Sequence, residues 1–332
     1  MKRDIEIVPR QLGSPALEVF PLALGCMAMS GMYGHAEEHE SIATIHAAID
    51  AGVTVFDSGD YYGMGHNEML LGRAVKGRRE KLLISVKFGA LRSPDGAWLG
   101  YDARPAAVKN FLSYSLLRLG VDYIDIYRPG RLDSQVPIEE TIGAIADMVR
   151  AGFVRNIGLS EVGSETIRRA NAVHPISDLQ IEYSLLSRNP ETTIFPTLQE
   201  LGIGVTAYGV LSRGLLSGRI PTAANDLRVH FPRFAGENLN RNRRLVEALR
   251  AIATERGVTP SQLAIAWVLA KAQNIVPVVG ARTRTQLEES LGALRVRLDA
   301  RDVAQIEAAV PASEVAGSRY GEQQMKTLDS ER

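Results

Sequence analysis

The chain of 332 residues has a single cysteine, Cys26, so no intramolecular disulfide can form, which fits a reducing compartment. It has no excess of either charge: 38 Lys and Arg balance 38 Asp and Glu. Electrostatic docking to nucleic acid or to an anionic membrane is therefore not expected. No apolar run approaches the ~20 residues that a membrane helix needs. The opening MKRDIEIVPRQLG lacks the apolar stretch of a signal peptide. A soluble, cytoplasmic protein is the expectation. No His/Cys/Asp cluster has metal-ligand spacing, so no metal is expected. What remains is ordinary globular composition, 45% hydrophobic and 23% charged. Oligomerisation is compatible with it but is written in no motif.

Short β-branched runs recur at residues 20–24, 53–56, 82–86, 123–127, 154–159, 178–181, 204–207 and 275–279. Most lack polar alternation, as expected of parallel strands buried on both faces. Helical patterns lie between them at 38–51, 105–119, 138–151 and 260–271, and after them at 283–294 and 300–309. Their ends carry stop and start signals: Gly52, Gly120 and Gly152 as stops, Pro105 as a first-turn residue, Thr259 as an N-cap. Strict strand–helix alternation means a parallel sheet, closed or open. Eight strands favour closure. So does another absence: the turn after the first strand reads Gly25-Cys26-Met27-Ala28-Met29, without the glycine fingerprint of the open dinucleotide-binding fold. The expected architecture is a (β/α)8 barrel, one domain over residues 1–332. Residues 11–19 look like a hairpin that plugs the barrel floor. The polar segment 225–243 suggests a lid or binding loop. The tail beyond Pro311 reads as surface.

Chemistry in such barrels sits at the carboxyl ends of the strands. The second strand ends at Asp57 and the third at Lys87, with Tyr62 in the turn after the second. A carboxylate and an ammonium at neighbouring strand ends can pair across the mouth, and a lysine beside a phenol lowers its pKa toward proton donation near neutral pH. The same residues read equally well as a structural ion pair with a half-buried aromatic.

Asp57-Ser58-Gly59-Asp60-Tyr61-Tyr62-Gly63, Lys87-Phe88-Gly89, Gly158-Leu159-Ser160-Glu161, Gln180-Ile181-Glu182-Tyr183-Ser184, Ala207-Tyr208 and Gly214-Leu215-Leu216-Ser217-Gly218 follow in order. Together they resemble the aldo-keto reductase signature across nearly the whole chain. The resemblance implies an NADPH-dependent reductase of an aldehyde or ketone. Tyr62 would be the general acid, Lys87 would lower its pKa, and Asp57 would hold Lys87. Ser160 and Gln180 would bond the nicotinamide carboxamide, and Tyr208 would stack on the ring, with Gly25 and Met27 also beside the cofactor. Leu211, Arg213, Gly214, Leu215 and Ser217 would line the pyrophosphate. Gly280, Arg282, Gln286, Glu289 and Ser290 would hold the adenosine end, with Arg282, helped by Arg284, suited to the 2′-phosphate of NADPH. The substrate would meet Tyr33, Trp98, Gly130 and Arg131.

One member of the expected set is missing. The family pattern places a histidine after the fourth strand, where this chain reads Arg128-Pro129-Gly130-Arg131. Loss of such a donor costs ~3–4 kcal/mol of transition-state stabilisation. Arg128, Arg131 or a water is available to fill the gap; His35 and His66 read as exposed loop residues. The missing histidine motivates an alternative, a cofactor-binding sensor or partner subunit with weakened catalysis. The intact Asp57, Tyr62 and Lys87 oppose it.

Overall fold

The structure is a computed structural model that describes residues 7–13, 17–218 and 226–332. Among these residues the strands are β1 (Arg10–Leu12), β2 (Leu17–Val19), β3 (Ala23–Gly25), β4 (Val55–Gly59), β5 (Leu83–Phe88) and β6 (Ala90–Arg92). They continue as β7 (Trp98–Tyr101), β8 (Ile124–Pro129), β9 (Val154–Ser160), β10 (Ile176–Glu182), β11 (Gly204–Tyr208) and β12 (Ile275–Gly280). The eight expected strands are all present as β3, β4, β5, β8, β9, β10, β11 and β12, closed into a parallel barrel in that order. β4, β8 and β10 are buried along their whole length, which is why their sequences run apolar instead of alternating. Several run further at the carboxyl end than the apolar pattern indicates. That extension carries Asp57 and Lys87 inside β4 and β5.

The floor is closed as expected. β1 and β2 pair antiparallel, opposing Arg10 to Val19 and Leu12 to Leu17. Leu12 and Val19 are buried with Ala23, Val55 and Val276 in a small second core. Gly204 is required beneath this hairpin, because a Cβ there would lie 2.9 Å from the Leu12 Cα. The Arg10 guanidinium is spent on main-chain carbonyls of Leu269, Ala272 and Ile275.

Helices ring the barrel. Pro105–Leu119 starts with its proline in the first turn and stops at Gly120, whose left-handed φ of 64° closes the last turn. Pro260–Lys271 is held at its start by Thr259 and Gln262, whose side chains each bond the other's backbone N–H.

Two expectations are corrected. Residues 225–243 are not one loop: Asn225 lies outside the described residues, and Gly236–Glu255 is a 20-residue helix. Its polar composition hides an inward stripe of Asn242, Val246, Leu249 and Ile252. The second is the tail beyond Pro311: most of it is exposed, as expected, but Ala316, Arg319, Tyr320 and Leu328 are buried, and Arg319 and Tyr320 reach Glu161, Tyr208 and Arg131 at the barrel mouth.

Candidate active site

Parallel registers set the site. β4 and β5 place Asp57 opposite Ser85 and Gly59 opposite Lys87, and β5 and β8 place Lys87 opposite Arg128. Lys87 Nζ lies 2.6 Å from Asp57 Oδ2. Asp57 Oδ1 accepts from Ser85 Oγ at 3.1 Å and from Gln180 Nε2 at 2.9 Å. The carboxylate is therefore fully committed, as a buried charge must be. Tyr62 sits in a short turn after β4, 4% exposed, with Lys87 Nζ 5.2 Å from its ring centroid. The three residues named from the sequence meet at one point on the barrel mouth.

Their electrostatics differ from the expectation in one respect. Burial pushes the Tyr62 phenol well above its ordinary value, and the Tyr61 phenol and Asp57 push the same way. Lys87, whose ammonium is turned to Asp57 and whose own pKa is lowered, first by burial, does not offset that rise. Tyr62 is thus a protonated phenol at any physiological pH.

Gly130 follows the last residue of β8, with Arg131 just beyond. Arg131 Nη1 donates to the Gly130 carbonyl at 2.6 Å and reaches Ser160 Oγ at 3.4 Å. Arg128 does not fill the gap over Gly130. It lies inside the barrel, wholly buried, pairing Asp178 through both amino groups at 2.8 and 3.2 Å and donating to Ser85 Oγ at 3.1 Å. Nor do the histidines fill it: His35 meets Glu37 on the surface, and His66 bonds Ser30 and Glu38. Trp98 stands on the β6–β7 hairpin, 44% exposed, with its ring centroid 4.9 Å from that of Tyr101.

The residues expected at the cofactor occupy the carboxyl ends of β9 to β12 and the turn after β3. Gly25 pairs with Asp57 on one side and Gly280 on the other, and Met27 opens the next turn. Ser160 and Gln180 are paired in register. Tyr208 ends β11, followed by the turn Ser212–Ser217, which holds Arg213, Gly214, Leu215 and Ser217. In that turn Ser212, Arg213 and Gly214 all have positive φ, at 46°, 55° and 92°. Such a run of left-handed residues is strained outside glycine and marks functional loops. Ser212 Oγ is buried without a partner among the described residues. Arg213 is clasped between Phe231 and Tyr320, 4.4 and 4.6 Å from their ring centroids, and Tyr33 also bears on it. Arg282 Nη1 bonds the carbonyls of Tyr33 and His35, and its N–H donates to Gln286. An orphaned hydroxyl, the buried Arg213 guanidinium and the Arg282 guanidinium at these strand ends suit an anionic dinucleotide. Arg284 pairs with Glu40, and Ser290 Oγ bonds the Gln286 carbonyl of its own helix.

The sequence reading missed the charge network beside Tyr208. Glu161 follows Ser160 with a strained φ of 55° and is wholly buried. It accepts from Arg319 Nη1 and Nη2 at 2.8 and 2.5 Å, from the Tyr208 hydroxyl at 2.7 Å and from Ser330 Oγ at 2.6 Å. The Arg319 pair holds its carboxyl down at about 2 against the opposing effect of burial. Tyr208 and Tyr320 hydroxyls lie 3.0 Å apart. A buried acid after β9 and an Arg-Tyr pair in the tail were the available signals.

Fold and geometry define a barrel protein with a buried acid–lysine–phenol group at the carboxyl ends of its strands. Residues 21–311 match the Aldo/keto reductase family, and the chain belongs to it. It is 42% identical over 324 residues to a probable aldo-keto reductase 1 of Glycine max, covering 95% of this chain and 92% of that protein. It is 38% identical over 325 residues to an NADP(+) aldo-keto reductase, yakc, of Schizosaccharomyces pombe, covering 95% of each. Among solved structures it resembles a glycerol dehydrogenase of Gluconobacter oxydans, at TM-score 0.83 and 26% identity over 92% of this chain and 96% of that one. An aldo-keto reductase of Bacillus halodurans in its holo form matches at TM-score 0.79 and 27% identity, over 96% of this chain and 100% of that one. The protein is an oxidoreductase of this family. No helix of the described residues is long and apolar enough to cross a membrane.

Proposed function

We propose that this protein reduces an aldehyde or ketone to the alcohol with NADPH, and that Tyr62 donates the proton. One observation carries the reading: the buried Asp57–Lys87 pair sets an ammonium 5.2 Å from the Tyr62 ring centroid at the barrel mouth. The cofactor supplies the hydride, and the protein supplies position and electrostatics. Ser160 and Gln180 orient the carboxamide, and Tyr208 offers its face to the ring. The turn with Leu211, Arg213, Gly214, Leu215 and Ser217 covers the pyrophosphate. Gly280, Arg282, Gln286 and Glu289 hold the adenosine end, with Arg282 the cation for the 2′-phosphate.

The high pKa of Tyr62 suits this task. An alkoxide is a far stronger base than a phenolate, so Tyr62 gives up its proton only as negative charge develops on the carbonyl oxygen. The phenolate left behind is then met by Lys87, an interaction that strengthens along the reaction. Asp57 keeps the ammonium oriented. The substrate enters over Gly130, between Tyr33, Trp98 and Arg131. Tyr62→Phe is expected to abolish NADPH consumption with a panel of aldehydes and ketones while NADPH still quenches protein fluorescence. Undiminished turnover in that variant would refute the assignment.

A further inference from the structure

Several arginines stand in or at the mouth of the barrel with a carboxylate each. Arg213 and Arg233 share Glu182, Arg319 holds Glu161, and Arg128 holds Asp178. Arg131 differs. It is half-buried beside Gly130, and its hydrogen bonds among the described residues all go to neutral acceptors: the Gly130 carbonyl at 2.6 Å, and Ser160 Oγ and the Tyr320 hydroxyl at 3.4 Å each. Glu161 is not free to serve it. Its Oε1 accepts from Arg319, the Tyr208 hydroxyl and the Glu182 N–H, and its Oε2 from Arg319 and Ser330. Asp57 is likewise committed to Lys87, Ser85 and Gln180. The pairs Asp57–Lys87 and Glu161–Arg319 each cancel, which leaves Arg131 as a surplus positive charge. A half-buried charge without a counter-ion favours the arrival of an anion.

We propose that Arg131 is the specificity-determining residue of this site and that the substrate is a 2-oxo acid, whose carboxylate pairs with the Arg131 guanidinium. The proposal rests on the reading of Tyr62 as proton donor. The position of Arg131 suits a carboxylate next to the reacting carbonyl. The Gly130 N–H bonds the Phe88 carbonyl at 2.8 Å, which ties this turn to the strand end just past Lys87. The charge of Arg131 is felt at both Tyr62 and Lys87. The cofactor does not supply the anion here: Arg131 reaches Ser160, which serves the neutral carboxamide, while the pyrophosphate lies at the turn Ser212–Ser217. A planar guanidinium matches a carboxylate with two parallel hydrogen bonds. Tyr61, Trp98 and Tyr101 form an edge-to-face chain of rings, at 6.1 and 4.9 Å between centroids, and offer the rest of the substrate an aromatic wall. Hydride from NADPH adds to the carbonyl carbon and the Tyr62 proton to the oxygen. The products are the 2-hydroxy acid and NADP+, and the phenolate regains its proton from water.

Phenylglyoxylate and its methyl ester present the same ketone with and without the charge. Both are reduced with NADPH by the intact protein, by Arg131→Met and by Arg131→Lys. The acid-to-ester ratio of kcat/KM is compared between proteins, which cancels the intrinsic reactivity of the two ketones. NADPH fluorescence titration checks the fold of each variant. Expected is a ratio lower by roughly 10- to 100-fold in Arg131→Met, the size of charge-assisted hydrogen bonds. Arg131→Lys keeps the charge without the fork, so its ratio should fall in between. Benzoate, an anion that cannot be reduced, should perturb the fluorescence of bound NADPH at a concentration ~10-fold lower in the intact protein than in Arg131→Met. A ratio within about threefold of the intact one in both variants would overturn the carboxylate assignment and leave the functional reading standing. So would reduction of the ester but not of the acid by the intact protein. If Arg131→Met fails to bind NADPH, Arg131→Lys alone decides. No turnover of either ketone, or of para-nitrobenzaldehyde, by intact protein that binds NADPH would overturn the functional reading and this inference with it.

Discussion

Arg319→Met removes the cation that pairs with Glu161 while keeping most of the side-chain volume. In the native chain the Glu161 carboxylate is 0% exposed and bonded by both Arg319 amino groups. The variant leaves it three donors, the Tyr208 hydroxyl, Ser330 Oγ and the Glu182 N–H. Breaking a buried pair by deleting one partner costs roughly 3–5 kcal/mol, and the surviving donors place this case at about 3. The same size follows from titration. Against burial, Arg319 with help from Arg131 and Ser330 holds Glu161 at about 2 instead of 4.5, and each unit is worth ~1.4 kcal/mol. The sign is that of a depressed carboxylate: the stability is present above the unfolded value and is lost as pH falls from 4.5 through 2. Over a chain of 332 residues, ~3 kcal/mol corresponds to a Tm lower by about 4 °C at pH 7. In the variant that acid loss shrinks, because without Arg319 burial is no longer overcome and Glu161 is not held below its unfolded value. Calorimetry at pH 7, and chemical denaturation followed from pH 7 to 3, read both effects. A Tm within 1 °C of native, with an unchanged acid limb, would refute the argument.

Three further outcomes are expected. Gly158→Ala places a Cβ 2.9 Å from Arg128 Cζ and 3.0 Å from Asp178 Oδ1, so it should destabilise by about 1–3 kcal/mol in urea titration. Asp57→Asn leaves the Lys87 ammonium buried without its counter-charge; it should cut kcat by at least ~10²-fold and lower the pKa of Lys87 further. Asp60 is buried with Oδ1 unpartnered among the described residues, and burial raises its carboxyl to about 7. A carboxyl raised from 3.8 to about 7 weakens the fold progressively as pH rises between those values, so Asp60→Asn should gain at least ~1 kcal/mol at pH 8 and clearly less at pH 5, checked by melts at the two pH values.

Periodicity was enough for the barrel strands, because a parallel strand covered on both faces needs uninterrupted apolar residues whatever packs on it. It was enough for Pro105–Leu119 and Pro260–Lys271, whose start and stop signals lie within the helix itself. It failed for Gly236–Glu255, where only a narrow stripe is buried and the rest is charged. The Asp57, Tyr62 and Lys87 set was legible because strand ends converge in any such barrel. The Glu161–Arg319 pair was not: 158 residues separate the partners, and no local pattern ties them.

The sequence by itself determined the strand count, the closure, the floor hairpin and the acid–lysine–phenol group, because each depends on local patterning or on a fixed place at a strand end. Only the tertiary structure decided that Arg128 is an interior strut paired with Asp178, that the tail clasps Glu161 and Tyr208, and that the Tyr61 and Tyr101 rings border Gly130. Those outcomes depend on which side chains reach a shared volume after folding, and competition for that volume and for buried charge is settled in space, not along the chain.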